Sequence, residues 1–452
     1  MSNKTMTAAP KKTGSLVAII TMFFLFGMIS FVTNLAAPIG TIWKGHYEWA
    51  GMIGNFMNFL AYLFMGIPAG NMLVKIGYKK TALIALAVGA VGIAVQYLSG
   101  IVGGDVATFS VNGEPVMLNY LIYLLGAFIC GFCVCMLNTV VNPMLNLLGG
   151  GGRKGNQLLQ AGGSLNSLTG TLTPLFVGML VGTVTADTTM GSVSVLLWIA
   201  FAVFVASFLI ISFVNIPEPQ QNTGAKKKFS HSPWSFRHTV LGVIGIFFYV
   251  GIEVGIPGVL IFYLSSPELN LPNGVALAGG VAAVYWLLML VGRLSSSAIS
   301  GFVSSRVQLM VTSATAIVLV LLAIFISSDV RISMPSYSVE DGFSMVQMPI
   351  KALFLVLCGL CTSVMWGSIF NLAVEGLGKY TAQASGIFMM MVVGGGVMPW
   401  IQETIGRSIG WMASYWLVVA MLAYLFYYAV IGSKNVNKNI PVTDEEEVPD
   451  AL

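Results

Sequence analysis

Apolar segments long enough to cross a membrane recur along the whole chain, separated by short polar connections. A helix of about 20 apolar residues spans the ~30 Å hydrocarbon core of a bilayer. The pattern predicts twelve such spans, at about 16–43, 50–74, 81–101, 117–148, 156–184, 192–215, 238–264, 274–300, 305–328, 349–374, 380–405 and 410–432. An even number of spans places both termini on the same side.

The basic residues of the connections alternate between the two sides. Sixteen lysines and arginines fall on the side of the N-terminus, and only Lys44, Arg331, Lys351 and Arg407 fall on the other. Cytoplasmic loops carry the excess of Lys and Arg, so both termini are expected in the cytoplasm. The first segment, 16–43, is too long for the apolar region of a cleaved signal peptide, and we expect it to be retained.

The composition agrees with an integral membrane protein. The chain is 56% hydrophobic and 8% charged, with a mean hydropathy of +0.86, whereas soluble domains carry about 25% charged residues. The basic residues behind the net charge of +4 lie in connections, where membrane topology explains them. The net charge therefore does not indicate a nucleic-acid partner. The five cysteines lie inside predicted spans without nearby histidine, and we expect small packing residues rather than metal ligands. They are Cys130, Cys133, Cys135, Cys358 and Cys361.

A polar, basic connection at 216–237 divides the chain nearly in half. It predicts a cytoplasmic linker between a six-helix unit at 16–215 and a second unit at 238–432. Polar loops with β-prone residues follow spans three and nine, at equivalent positions in the halves. The N-terminal tail, 1–15, and the acidic tail, 433–452, are expected in the cytoplasm, the acidic end being solvated.

The halves also share short sequence matches. Cys130, Gly131 and Cys133 in span four correspond to Cys358, Gly359 and Cys361 in span ten. Span five opens with Gln160-Ala161-Gly162-Gly163 and span eleven with Gln383-Ala384-Ser385-Gly386. These matches occur in the same order, which predicts a duplicated six-helix unit. Parallel repeats of this kind build transporters whose substrate site lies at the midplane between the halves.

Several segments resemble a known family. The loop GNMLVKIGYKK after span two is similar to the loop motif of the major facilitator superfamily, although Val74 replaces its usual aspartate. NTVVNPMLNLLG, LNSLTG, FFYVGIEVG, VGRLSSS and SIFNLAVEGLGKYTAQASGIFMMMVVGGGVMPW resemble the fucose permease group of sugar–proton symporters. The resemblance implies an all-α membrane fold of twelve transmembrane helices, in two six-helix bundles related by a pseudo-two-fold axis.

The chain departs from the fucose permease pattern at its carboxylates. That family has one in span one shortly before a proline and another in span four before Asn-Pro, both linked to sugar binding or proton coupling. Asn34 and Asn138 occupy these positions here. Neither amide can carry a proton, so the coupling mechanism of the family does not transfer directly. Glu253 stands in span seven where that family usually has an amide.

Glu253 is the only acidic residue deep inside a predicted span. Burial disfavours the charged form of a carboxylate, so the group can be neutral in one conformation and charged in another. We interpret Glu253 as a proton carrier or an acceptor for sugar hydroxyls. The alternative is a permanently protonated glutamate that only pins span seven to its neighbours.

Two further features indicate gating. Arg293 lies in span eight, nearer its cytoplasmic end, and we expect it to pair with Glu375 as a latch; direct substrate contact and a pair with Glu253 are the alternatives. The triplet Gly394, Gly395 and Gly396, followed by Pro399, predicts a bendable segment in span eleven.

Polar amides near mid-span supply candidate sugar ligands. An amide both donates and accepts hydrogen bonds, which matches a sugar hydroxyl. Trp366 aligns with Asn138 in the repeat and is expected to face the same cavity, where its ring can stack on a sugar. The predicted substrate-binding residues are Asn34, Asn138, Asn142, Gln160, Asn166, Glu253, Trp366 and Asn371. Hydrogen bonds between helices are the alternative role for the amides.

These features predict a secondary transporter, expected to be a monomer, that imports a monosaccharide of the hexose or deoxyhexose class, with proton coupling. Facilitated diffusion and Na⁺ coupling remain alternatives, as does a transporter of drugs or peptidoglycan fragments. The chain has no P-loop, and we expect no cofactor or metal. A membrane-embedded enzyme would need a metal cluster or a nucleophile–base set, and the three histidines, His46, His231 and His238, lie in loops or at span ends.

Overall fold

The computed structural model describes residues 12–47, 50, 53–111, 113–181, 189–216, 218, 231–264, 266, 269, 271, 274–338 and 342–442. The first half forms α1 (Lys12–His46), α2 (Ile53–Ile76), α3 (Tyr78–Leu98), α4 (Leu118–Leu148), α5 (Gly152–Val181) and α6 (Ser194–Phe213). The second half forms α7 (Arg237–Leu264), α8 (Gly274–Ile299), α9 (Ser305–Phe325), α10 (Ile350–Ala373), α11 (Thr381–Met390), α12 (Gly394–Ile409) and α13 (Trp411–Tyr427).

Within these described ranges, ten helical segments are long and apolar enough to cross a membrane. One of them, Gly378–Ile409, contains both α11 and α12, so these two helices form a single span. With α5 and α8, the helices make up the twelve predicted spans in two six-helix bundles, and the apolar part of α8, Ala283–Ile299, is shorter. The predicted all-α membrane fold is confirmed.

Two antiparallel β-hairpins are the only strands among the described residues. β1 (Ala107–Val111) pairs with β2 (Glu114–Met117), and β3 (Arg331–Ser338) pairs with β4 (Gly342–Pro349). They occupy the two loops whose residues were β-prone, after α3 and α9. We call the side of the molecule that bears them the hairpin face. The opposite side, where α6 ends and α7 begins, is the linker face.

Small residues allow the helices to approach closely. A Cβ atom on Gly92 of α3 would lie 2.6 Å from Cys130 Sγ and 2.8 Å from Cys130 N of α4. All five cysteines are buried and unbridged, in agreement with a packing role. Close packing also joins the two bundles, since a Cβ atom on Gly66 of α2 would lie 2.5 Å from Met390 N and 2.6 Å from Gly386 O.

The turn between α2 and α3 is held by the segment that follows α6. Gly77 precedes α3 with φ +86°, a left-handed conformation that glycine adopts without strain. The Glu218 carboxylate accepts hydrogen bonds from Tyr78 N at 2.7 Å and Lys79 N at 2.9 Å. It therefore satisfies two of the unpaired N–H groups at the start of α3 and places a negative charge at the positive end of the helix. The acidic residue that binds this turn is therefore Glu218, from the segment after α6. The turn's own sequence has Val74 where the related loop motif has an aspartate.

The bundles are joined more closely on the linker face than on the hairpin face. Asn146 Nδ2, near the end of α4, donates to Asn371 Oδ1 near the end of α10, and Asn156 Nδ2 donates to Ser300 Oγ at 3.2 Å. Ser297 Oγ of α8 donates to Gln157 O of α5 at 3.3 Å. Between described residues, the hydrogen bonds that cross from one bundle to the other all lie between the midplane and the linker face. The described cross-bundle hydrogen bonds therefore hold the two bundles together on the linker-face side.

Candidate transport site

Glu253 lies near the middle of α7, at a local irregularity of that helix. Pro257, four residues further on, has no N–H to donate to the carbonyl of Glu253, so one helical hydrogen bond is missing. The side chain of Glu253 is 15% exposed. The carboxylate is therefore largely buried at mid-span, beside a weakened turn of its own helix.

Arg293 of α8 supplies the counter-charge to Glu253. Arg293 Nη2 donates to Glu253 Oε1 at 3.2 Å, and the Arg293 side chain is 10% exposed. The expected pairing of Arg293 with Glu375 is wrong, and the lower-ranked pairing with Glu253 is the one that forms. The expectation ranked this pair low because of the difference in depth counted along the two helices, and the contact shows that the difference is bridged.

Arg293 also connects the two bundles. Its Nη1 atom donates to Gly163 O at 3.0 Å and to Ser167 Oγ at 2.7 Å, both on α5 of the first bundle. One guanidinium group thus binds a carboxylate of its own bundle and two oxygen atoms of the other. Because a guanidinium presents five N–H donors in a rigid plane, it can hold both sets at once.

A second cross-bundle contact involves the predicted aromatic and amide residues. Trp366 Nε1 of α10 donates to Asn142 Oδ1 of α4 at 3.0 Å. Asn142 Nδ2 donates to Asn138 O at 2.8 Å, and Asn138 Nδ2 donates to Tyr62 OH at 2.9 Å. Asn138, Asn142 and Trp366 are therefore brought together, as predicted, and tie α2, α4 and α10 into one polar network.

Tyr249 lies between this network and the ion pair. It precedes Glu253 by one helical turn, and its ring centroid is 6.1 Å from that of Trp366. Its hydroxyl is buried beside Glu253 and Arg293. A phenol in this position has a proton to offer to the carboxylate or to a ligand beside it.

Asn166 and Asn34 line the first bundle on the other side of Arg293. Asn166, next to Ser167, donates from Nδ2 to Phe26 O of α1 at 3.1 Å. Asn34 Nδ2 donates to Ser30 O at 2.8 Å. A Cβ atom on Gly170 would lie 3.0 Å from Asn34 Nδ2, so α5 approaches α1 closely here. Both amides are half-buried and each keeps its carbonyl oxygen for another partner.

These contacts place amides, an aromatic ring and an ion pair around one midplane region between the bundles. The set offers both donors and acceptors, and a single carboxylate that can exchange a proton. Among the described residues no group of three or more His, Cys, Asp or Glu side chains is arranged to hold a metal ion. The region suits a neutral, hydroxyl-rich molecule and one proton.

Three predicted residues lie elsewhere. Gln160 is buried in the contact between bundles, where its Nε2 donates to Val364 O at 2.9 Å. Asn371 lies two residues before the end of α10, bonded to Asn146 and to Ser305 Oγ at 2.8 Å, and not near mid-span as expected. Glu375 lies at the linker face, where its backbone carbonyl accepts from His238 Nε2 at 2.9 Å.

The predicted bend in span eleven coincides with a break in the helix. A 3₁₀ turn at Met391–Val393 separates α11 from α12, immediately before the glycine triplet. Close contacts also constrain these glycines. A Cβ atom on Gly394 would collide with the carbonyl of Phe247 in α7, and one on Gly395 would lie 2.8 Å from the Phe59 ring of α2. Because these glycines have no side chains, the break packs closely against α7 of its own bundle and α2 of the other.

Ser167 and the carbonyl of Gly163 are functional candidates that sequence reasoning missed. A backbone carbonyl carries no sequence signal, and a serine in a membrane helix is usually satisfied by its own helix. The only available signal was position, because Ser167 directly follows Asn166 in the segment LNSLTG.

Comparison with known proteins agrees with this architecture. The sequence signature described as the Major Facilitator Superfamily matches residues 17–399. A glucose/galactose transporter of Brucella abortus is 28% identical over 441 residues, covering 95% of this chain and 97% of the relative.

Two comparisons involve Escherichia coli. The L-fucose-proton symporter of strain K12 is 22% identical over 465 residues, covering 94% of this chain and 96% of the relative. A crystal structure of an E. coli fucose:proton symporter variant superposes with a TM-score of 0.75 at 20% identity, covering 93% of this chain and 100% of that chain. At this identity the superposition establishes the fold.

Proposed function

Because the chain belongs to the Major Facilitator Superfamily, we propose that it imports a monosaccharide of the hexose or deoxyhexose class by alternating access and proton symport. Membership makes it a membrane transporter and not an enzyme. The sugar is suggested by the relatives, which are named as glucose/galactose and L-fucose transporters. The observation that carries the coupling proposal is the buried Glu253–Arg293 pair at mid-span.

The linker face is proposed to be cytoplasmic in the bacterial inner membrane, because most of the basic residues flank it. The site between the bundles then receives sugar from outside the cell, on the hairpin face. The units 16–215 and 238–432 rock against each other to expose the site to the cytoplasm, and the protein acts as a monomer.

The sugar is bound by the amides and the aromatic ring of the site. Hydroxyls bond to Asn34, Asn138 and Asn166, and an apolar face of the sugar ring packs on Trp366. These residues come from both bundles, so a bound sugar favours the two bundles closing around it. Asn142 holds Trp366 in orientation through the bond to its indole N–H.

Glu253 carries the proton. When Glu253 is ionised, its charge compensates the buried cation of Arg293. A proton from outside neutralises the carboxylate and leaves Arg293 without its anionic partner, at a cost of about 3–5 kcal/mol for a fully buried pair. That cost destabilises the state closed at the linker face, in which Arg293 is held by α5. Reorientation then exposes Glu253 to the cytoplasm, where the proton leaves with the sugar.

Glu253→Gln tests the proton role. We expect the variant in proteoliposomes to lose sugar accumulation driven by an inward proton gradient, while exchanging labelled for unlabelled sugar at equal concentrations. Glu403→Gln is the matched control, because Glu403 is a carboxylate of α12 that pairs with the exposed Arg407 away from the site.

Three results would contradict the proposal. Equal gradient-driven accumulation by wild type and Glu253→Gln would show that Glu253 does not carry the proton. Accumulation driven by a sodium gradient, and not by a proton gradient, would show that Na⁺ is the coupling ion. Absence of uptake of every monosaccharide in a panel by the wild type would reject the substrate class.

A further inference from the structure

A cavity of about 700 Å³ opens on the hairpin face of the second bundle, separate from the site between the bundles. It lies between the ends of α7, α9 and α12 and the beginnings of α10 and α13. Its lining includes Lys351, Arg407 and the first residues of α13, Trp411–Ala413. Two of the four basic residues that the sequence places on this side thus line one cavity.

Lys351 is a buried cation with little compensation. The residue is 6% exposed, and its one hydrogen bond with a described residue is from Nζ to Ile324 O, at 3.4 Å, near the end of α9. No carboxylate lies within salt-bridge distance of it among the described residues. An ammonium group has three donors, so most of its capacity faces the cavity. A buried charge without a counter-charge is costly, which favours an anion from outside the chain.

The beginning of α13 adds donors to the same cavity. Gly410 precedes the helix with φ +105°, and the N–H groups of Trp411, Met412 and Ala413 belong to the first turn, where they have no acceptor within the helix. The positive end of a 17-residue helix therefore faces the cavity beside Lys351. A phosphate group accepts from several such N–H groups and from a lysine at once.

The surroundings of the cavity are apolar and exposed. Ile409 is 69% exposed and Phe325 is 72% exposed, and the Phe325 ring packs edge-on against Trp416 with centroids 5.9 Å apart. Large apolar side chains exposed at a membrane helix end contact lipid. The cavity thus combines a cationic interior with apolar surroundings, which matches an amphiphile with an anionic head and hydrocarbon chains.

We propose that this cavity binds the phosphate group of an anionic phospholipid from the leaflet on the hairpin face. Lys351 and the first-turn N–H groups of α13 hold the phosphate. Arg407, which is paired with Glu403 and 70% exposed, lies at the rim. The uncompensated charge of Lys351 favours a lipid with a net negative charge over zwitterionic phosphatidylcholine. The lipid joins the ends of α9 and α12 to the start of α10, and so stabilises the second bundle.

Native mass spectrometry with added phosphatidylglycerol or phosphatidylcholine tests the proposal on the full chain. We expect wild type to retain phosphatidylglycerol preferentially, and Lys351→Met to bind it about 30-fold more weakly, as expected for the loss of a buried charge contact. Lys351→Arg keeps the cation and is expected to keep the lipid. Arg331→Gln is the control, since it removes one positive charge from the same face outside the cavity.

Thermal unfolding separates a lipid from a small anion. Phosphatidylglycerol is expected to raise the unfolding temperature of wild type and of Lys351→Arg, while inorganic phosphate has no effect. An equal rise with inorganic phosphate would identify a small-anion site and overturn the lipid assignment. Equal retention of phosphatidylglycerol by wild type and Lys351→Met would overturn the site itself.

Discussion

Arg293 is the residue through which the charge of the site is connected to the packing of the two bundles. Its guanidinium group contacts Glu253 of its own bundle and both Gly163 O and Ser167 Oγ of the other. Loss of either set weakens closure at the linker face. A change of charge at Glu253 can therefore alter the contact between bundles without any large displacement at the site.

Ser167→Ala is predicted to loosen the linker face. A hydrogen bond to a charged group contributes about 1.5–3 kcal/mol, so its loss should raise the population open at the linker face about tenfold or more. The rate of alkylation of a cysteine introduced at Ser297, which lies in the α5–α8 contact, measures this population. The native cysteines are buried and give a low background.

Ser164→Ala is the matched control for this experiment. Ser164 lies one turn before Ser167 on α5, and its hydroxyl donates to Gln160 O of its own helix at 2.9 Å. If both variants alkylate at the wild-type rate, Ser167 does not hold the bundles together. If alkylation is faster by the same factor in both variants, the change comes from α5 in general and not from loss of the bond with Arg293.

At the residue scale, the sequence predicted which kinds of residue are buried between the helices better than it predicted which residues bond to each other. The expense of an unpaired amide in lipid correctly indicated that Asn138 and Asn142 are satisfied inside the bundle. Partners depend on helix tilt and on relative levels, which hydropathy does not encode. The Arg293 pairing was therefore wrong. The mid-span location expected for Asn371 was wrong for a simpler reason, because Asn371 is three residues from the end of the predicted span 349–374.

At the element scale, α2 and α11 form the closest helix contact between the bundles. Gly66 and Gly386 face each other with backbone atoms in direct contact. Gly66→Ala is predicted to force the helices apart, because its Cβ atom would lie 2.5 Å from Met390 N, where ordinary heavy-atom contacts are about 3.5–4 Å. A backbone atom cannot rotate away as a side chain can.

The expected result for Gly66→Ala is a lower unfolding temperature together with faster alkylation at position 297. Gly245→Ala is the control, since its Cβ atom would approach the nearest atom, Ile369 Cγ2, only to 3.5 Å, an ordinary contact. Wild-type alkylation and stability in Gly66→Ala would show that the α2–α11 contact has room to adjust and does not determine closure.

The elements themselves were predictable because their signals are local. Runs of apolar residues located the spans, and β-prone polar loops located the two hairpins. The break at Met391–Val393 was anticipated only as a bend at the neighbouring glycines. Why those positions lack side chains is a tertiary fact, since Phe247 of α7 and Phe59 of α2 occupy the space. The gating role of the triplet stays a prediction.

At the scale of the whole molecule, the capping of α3 by Glu218 shows how the linker region takes part in the fold. The carboxylate follows α6 in the chain but binds the first N–H groups of α3, and Lys79 Nζ donates back to Ser212 O at 2.7 Å. The end of the first bundle is thereby joined to its own α2–α3 turn. No local sequence pattern predicts this contact, because its partners are about 140 residues apart.

The proposed orientation of the molecule in the membrane rests on charge alone and has a direct test. If the linker face is cytoplasmic, a membrane-impermeant maleimide added to intact cells should label Phe109→Cys, which is exposed on β1 at the hairpin face. The same reagent should leave Val436→Cys unlabelled until the cells are opened, because Val436 is exposed on the segment that follows α13 at the linker face.

The same reagent tests the direction of opening. A cysteine at Ser297 lies within the α5–α8 contact. In sealed inside-out vesicles it should resist labelling, and it should become reactive when sugar and a proton gradient directed from the hairpin face to the linker face drive turnover. A cytoplasmic linker face requires that Phe109→Cys be labelled faster than Val436→Cys in intact cells. Opening the cells should then raise the labelling of Val436→Cys alone. The opposite pattern would invert the membrane orientation, and with it the proposed path of sugar and proton from the hairpin face to the linker face.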